Sequence, residues 1–126
     1  MLFGDFFIVG SSIIELTNEL CYHMNINEAV SLTQRVANKM PPPKWEIYQR
    51  FNDLVEEVGE LANAIQVEEG YKTKLRKKSE LIDSVCDVLF SIFLVASHYK
   101  IDLEKEYPKV LKEINDRRER GEFDLV

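Results

Sequence analysis

The sequence predicts an all-α fold: one domain built as a bundle of four to five helices. Three observations carry that expectation. Apolar residues recur at helical spacing through most of the chain. Five glycines and four prolines, three of them consecutive at Pro41, Pro42 and Pro43, leave few places for hairpin turns. Residues 80–99, E-L-I-D-S-V-C-D-V-L-F-S-I-F-L-V-A-S-H-Y, are apolar almost all the way round from Val85 to Ala96, the pattern of a helix buried on most sides.

Length and composition bound the function classes. A chain of 126 residues and 14.7 kDa makes one domain burying roughly two-thirds of its unfolded surface. With 45% apolar and 30% charged residues it is not a disordered tail. A net charge of −6 argues against nucleic acid or an anionic membrane as partner. It leaves room for a phosphorylated ligand, provided divalent cations lie between the two sets of negative charge. Cys21 and Cys86 match no metal spacing and read as buried free thiols in a reducing cytoplasm. Residues 1–14 are apolar but lack a basic leader and carry Asp5, Gly4 and Gly10; they read as a packing or subunit-contact segment.

The elements follow in order. Ser12 and Glu15 form a capping box for a first helix reaching His23 or Met24. Asn27 caps a second, with Ala29, Leu32, Val36 and Met40 on one face, and the proline run ends it. Residues 45–69 give the longest helical pattern, with Gly59 inside it at a cost of about 1 kcal/mol against alanine. A glycine there suggests that a helix or ligand comes close. Residues 70–78 form a loop carrying five cations, and Ser79 is the expected cap of the apolar helix. Asp102 and Leu103 open the last segment, in which Pro108 either kinks the helix or starts a separate one; the chain loosens after Gly121. Residues 1–43 would supply N-terminal helices and subunit contacts, and 44–120 the working core.

The candidate chemistry is carboxylate chemistry. On the apolar helix, Glu80, Asp83, Ser84, Asp87, Ser91 and His98 recur every three or four residues and share one narrow face. Buried carboxylates need a compensating cation. On the preceding helix, Asp53, Glu57 and Glu60 form an acidic stripe beside the apolar face, with Glu56 turned further toward solvent. Two long helices joined by a short loop pack antiparallel, which sets Glu57 and Glu60 opposite Asp83 and Asp87. Carboxylates converging from two helices suit Mg²⁺ or Mn²⁺ better than zinc. A di-iron site is disfavoured, because neither His23 nor His98 follows a glutamate at the required spacing. His98 lies nearly three turns from Asp87, too far to share an ion with it.

E-E-V-G-E-L at residues 56–61, followed after a charged loop by D-V-L-F at 87–90 and a polar N-D-R-R-E-R-G-E ending, resembles the MazG-like all-α nucleoside triphosphate pyrophosphohydrolase superfamily. The resemblance covers roughly residues 45–123. It implies that Glu57, Glu60 and Asp87 are metal ligands and that Glu56 completes the motif, with Glu56 or Glu60 orienting or deprotonating water. The family's remaining glutamate falls on Ser84; Glu80 or Asp83, a turn earlier, could replace it. Lys112 and Asn115 resemble last-helix residues that contact phosphate or nucleoside, against the alternative of a solvated helix face. Trp45 either stacks on a base or anchors a core corner. The implied reaction is Mg²⁺-dependent hydrolysis of a (deoxy)nucleoside triphosphate to the monophosphate and pyrophosphate, with phosphoribosyl-ATP and dUTP/dCTP-specific variants open, in a homodimer or homotetramer. A non-catalytic helical interaction module would explain the apolar faces but not the carboxylate stripe.

Overall fold

The computed structural model describes residues 24–125, and among them the chain is all-helical, without a strand. The expected first helix, with Ser12, Glu15, Cys21 and His23, lies outside the described residues.

Helix α1 spans Ile26–Asn38, and its cap is Asn25, not Asn27. Only Asn25 has a glutamate three residues on: its side chain accepts from the Glu28 amide at 2.8 Å, and Glu28 accepts from the Asn25 amide at 3.0 Å. Asn27 does different work. Its side chain donates to Asp102 at 2.8 Å and accepts from the Glu104 amide at 3.4 Å, tying the first turn of α1 to the start of the last helix. Helix α2 spans Ile47–Glu68, two residues after Trp45, and Gly70 at φ +80° takes the chain out of it. A single 3₁₀ turn at Lys74–Arg76 interrupts the cationic loop. Helix α3 spans Leu81–His98, and Glu80 takes the cap position expected for Ser79, whose hydroxyl instead meets that of Ser84. Helix α4 spans Leu103–Glu119 as one helix; Pro108 sits inside it and starts no separate segment. Asp102 caps it by accepting from the Lys105 amide at 3.1 Å, and Gly121 at φ +73° ends it.

The antiparallel pair α2–α3 is the centre of the fold, with α1 laid on α3 and α4 against α1. Its register is fixed by three layers. Tyr48 and Phe51 stand beside Val95 and Tyr99, Asp53 meets Ser91, and Glu57 acts on Asp87. Near the loop, the buried Asn63 donates to the Arg76 carbonyl at 3.3 Å and accepts from the Lys78 amide at 3.2 Å.

Helix α3 departs from its expected burial. Its most deeply buried side chains are Ser84 (0% exposed) and Ser91 (1%), joined by Leu94 and Ala96, while Ile82, Val85, Leu89 and Ile92 are exposed. Cys86, expected buried, is an exposed free thiol. The physical reason is size: small serine and alanine side chains let α3 approach its neighbours closely, and the branched residues are left on the outer side. Exposed apolar residues also line α2 (Phe51, Val55, Val58) and α4 (Tyr107, Val110, Leu111, Ile114). Among the described residues, nothing lies within 4 Å of where a Cβ on Gly59 would stand. The stretch 74–98 is long and apolar enough by composition to cross a membrane, but here α3 packs along α2 and α1.

Candidate functional site

The acidic stripe of α2 faces α3 around Glu57. That residue is half-buried, and its Oε2 is buried without a hydrogen-bond partner among the described residues. Burial pushes its carboxyl above the ordinary glutamate value, and the negative charges of Asp87, Glu60, Asp53 and Glu56 push the same way, in that order. Two helices therefore bring four carboxylates to bear on a fifth. An orphaned carboxylate oxygen among like charges is chemically suited to a hard divalent cation, which takes several carboxylate oxygens. Among the described residues, no three acidic, histidine or cysteine side chains stand close enough together to form a finished cation cage.

The other expected residues are distributed differently. Glu80 is ion-paired with Lys77 at the start of α3. Asp83 is exposed in the first turn of α3 and is absent from the charges that act on Glu57. Ser84 is fully buried and engaged with Ser79. Lys112 and Asn115 find partners within α4: Lys112 with Asp116 at 2.6 Å, and Asn115 with Glu119 at 3.1 Å and Arg118 at 3.0 Å. His98 is exposed and meets Tyr99 edge-on at 4.7 Å.

Beside the cluster lies a cavity of about 340 Å³ whose lining includes Pro41, Pro43, Lys44, Trp45, Arg50, Asp53 and Phe90. Trp45 is 47% exposed, so it is no core anchor, and the Arg50 guanidinium lies 5.3 Å from its ring centre. Trp45 was legible as a candidate and Asp53 as part of the acidic stripe, but Lys44 and Arg50 were not assigned to a site from the sequence. The signal was there for Asp53 and Arg50, which lie one and two turns before Glu57 on one helix, toward Trp45. The aromatic ring can stack on a planar group and the two cations can offset negative charge, beside the acidic side chain of Asp53.

No curated protein and no solved structure matches the chain. The family model of the MazG nucleotide pyrophosphohydrolase domain matches residues 49–121, a span that runs from the first turn of α2 past the end of α4 and includes the Glu57 cluster. With more than half of its length matched, the chain belongs to the MazG nucleotide pyrophosphohydrolase domain family.

Proposed function

We propose that this protein hydrolyses a (deoxy)nucleoside triphosphate to the monophosphate and pyrophosphate, with Mg²⁺ or Mn²⁺ as cofactor. The observation that carries the reading is Glu57, a partly buried carboxylate with an unpartnered oxygen and four acidic neighbours. Family membership supports the same reaction class.

Glu57, Glu60 and Asp87 would hold the cation, with a further carboxylate from the cluster. When bound, a divalent cation neutralises phosphate oxygens and makes water a better nucleophile near neutral pH. The protein's own residues do the rest. Trp45 and Phe90 bound the cavity and receive the nucleoside, and Lys44 and Arg50 offset charge at its mouth. Glu60, or Glu56 from the more exposed side of α2, accepts a proton from the water that attacks the α-phosphorus as pyrophosphate leaves.

The exposed apolar rows on α2, α3 and α4 support self-association into a dimer or tetramer. In such an assembly Lys112 and Asn115 of α4 would reach the phosphates from a neighbouring subunit. A reducing, cytoplasmic setting fits an exposed thiol at Cys86.

The test is pyrophosphate release over a panel of NTPs, dNTPs and phosphoribosyl-ATP, with and without Mg²⁺. Turnover of at least one substrate that vanishes on chelation is the expected result. Absence of turnover on every substrate would overturn the reading.

A further inference from the structure

The cavity between the proline turn, α2 and α3 has a volume of about 340 Å³. That is the small end of ligand pockets, which run from about 300 to 1,000 Å³, and it suits one end of a nucleotide better than the whole. Its walls select which end. Trp45 and Phe90 offer flat apolar surface to a ring, and Pro41 and Pro43 close the turn side without backbone N–H groups. Asp53 puts a negative charge in the same wall, which repels a phosphate. The ring end therefore belongs here, with the phosphates toward Glu57, one turn further along α2.

Two polar side chains are placed to read the edge of that ring. Lys44 is engaged elsewhere, its Nζ donating to the Asn38 carbonyl at 2.8 Å. Arg50 and Asp53 are both half-buried and stand three residues apart on α2, so they share one face of the helix. Arg50, held against the Trp45 ring at 5.3 Å, can only donate, and the Asp53 carboxylate only accepts. The bond from Ser91 occupies one lone pair of Oδ2, so the carboxylate keeps acceptor sites on both oxygens.

A donor beside a two-oxygen acceptor complements few bases. Guanine presents a carbonyl oxygen, a ring N–H and an amino group side by side. It can give two hydrogen bonds to one carboxylate and take one from a guanidinium. Adenine and cytosine set an acceptor ring nitrogen next to their amino group, and uracil and thymine flank one N–H with two carbonyls. Each of those gives the carboxylate a single well-directed bond and places an acceptor beside it.

We infer that the cavity is a guanine-selective subsite, in which Trp45 and Phe90 hold the ring, Asp53 accepts from its ring N–H and amino group, and Arg50 donates to its carbonyl oxygen. This rests on the hydrolase reading above and adds the base to it.

The experiment measures kcat/KM for pyrophosphate release from GTP, ITP, ATP, CTP, UTP and their deoxy forms, with Mg²⁺, for the full chain and for Asp53→Asn. Hypoxanthine, the base of ITP, differs from guanine only in lacking the amino group. The wild type should prefer the guanine nucleotide to every other, ITP included, by about tenfold or more. In Asp53→Asn, whose amide keeps one acceptor and gains a donor, GTP and ITP should come within about threefold of each other. Each ratio is taken within one protein, so a folding defect or a change of charge near Glu57 lowers all substrates together and leaves it unmoved. Should Asp53→Asn give no measurable rate, the wild-type ratio of GTP to ITP carries the test. Equal use of GTP and ITP by the wild type, preference for another base, or a guanine advantage that survives in Asp53→Asn overturns the subsite while hydrolysis stands. No turnover of any nucleotide overturns both.

Discussion

Ser91 on α3 reaches across the helix pair to hold Asp53 on α2, with 3.1 Å between hydroxyl and carboxylate. In the next layer, burial and the negative charge of Asp87 both act against the ionised form of Glu57. One layer is stabilised by a hydrogen bond and the other is electrostatically strained.

Glu57→Gln should therefore raise the melting temperature of the metal-free protein at neutral pH by a few degrees. Burial and its acidic neighbours raise the folded-state pKa of Glu57 above its ordinary value of 4.5. A raised carboxyl favours the fold fully below the unfolded value and loses that contribution as pH rises through the folded one. The gain in Glu57→Gln should shrink toward zero below about pH 4.5. A thermal-denaturation series against pH checks it; an equal gain at every pH would point to packing rather than charge.

Asp87→Asn removes the largest charge partner of Glu57 and should lower pyrophosphate release at least about a hundredfold, with helicity retained. Circular dichroism beside the release assay separates lost chemistry from lost structure.

Gly59→Ala should stabilise the isolated chain by about 1 kcal/mol, because a Cβ there meets no atom of the described residues and alanine is the better helix former. Denaturant unfolding measures this. If Gly59→Ala instead weakens self-association in sedimentation, a neighbouring subunit packs on the Glu57-bearing face of α2.

Asn63→Ala should cost about 1–2 kcal/mol, since it removes two part-buried hydrogen bonds, one to the Arg76 carbonyl and one from the Lys78 amide. Urea denaturation gives the figure, and hydrogen exchange at Lys78 should rise with it.

Most of the architecture was legible in the sequence because it follows from periodicity: the apolar repeats of residues 47–68 and 81–98 mark two long helices, and the short cationic loop makes them neighbours. Caps were less legible. Asn25 and Asn27 both suit a helix start, and only the reach of Glu28 decides between them. Burial on α3 was legible only in part, since hydrophobicity marks what avoids water but not whether a partner within the same chain covers it; Leu94 and Ala96 are buried as expected, but Val85, Leu89 and Ile92 stay exposed while Ser84 and Ser91 go inside. The acidic stripe was visible as Asp53, Glu57 and Glu60, yet Ser91 as a brace for Asp53 depends on the register between helices, which one-dimensional spacing leaves open by a turn. The cavity was invisible for the same reason: Pro43, Arg50 and Phe90 come from separate segments.

Asn63 also bears on how this protein tolerates change in length. Its amide ties Arg76 and Lys78 to a point inside α2, so the start of α3 is referenced to the helix and not to the number of residues in the connector. Extra residues between Lys72 and Lys74 would enlarge an outer arc and leave Asp87 where it is. A single residue added after Lys78 would turn α3 by about 100° and carry Asp87 off Glu57. The connector thus divides into a part free to vary in length and a part that acts as a gauge.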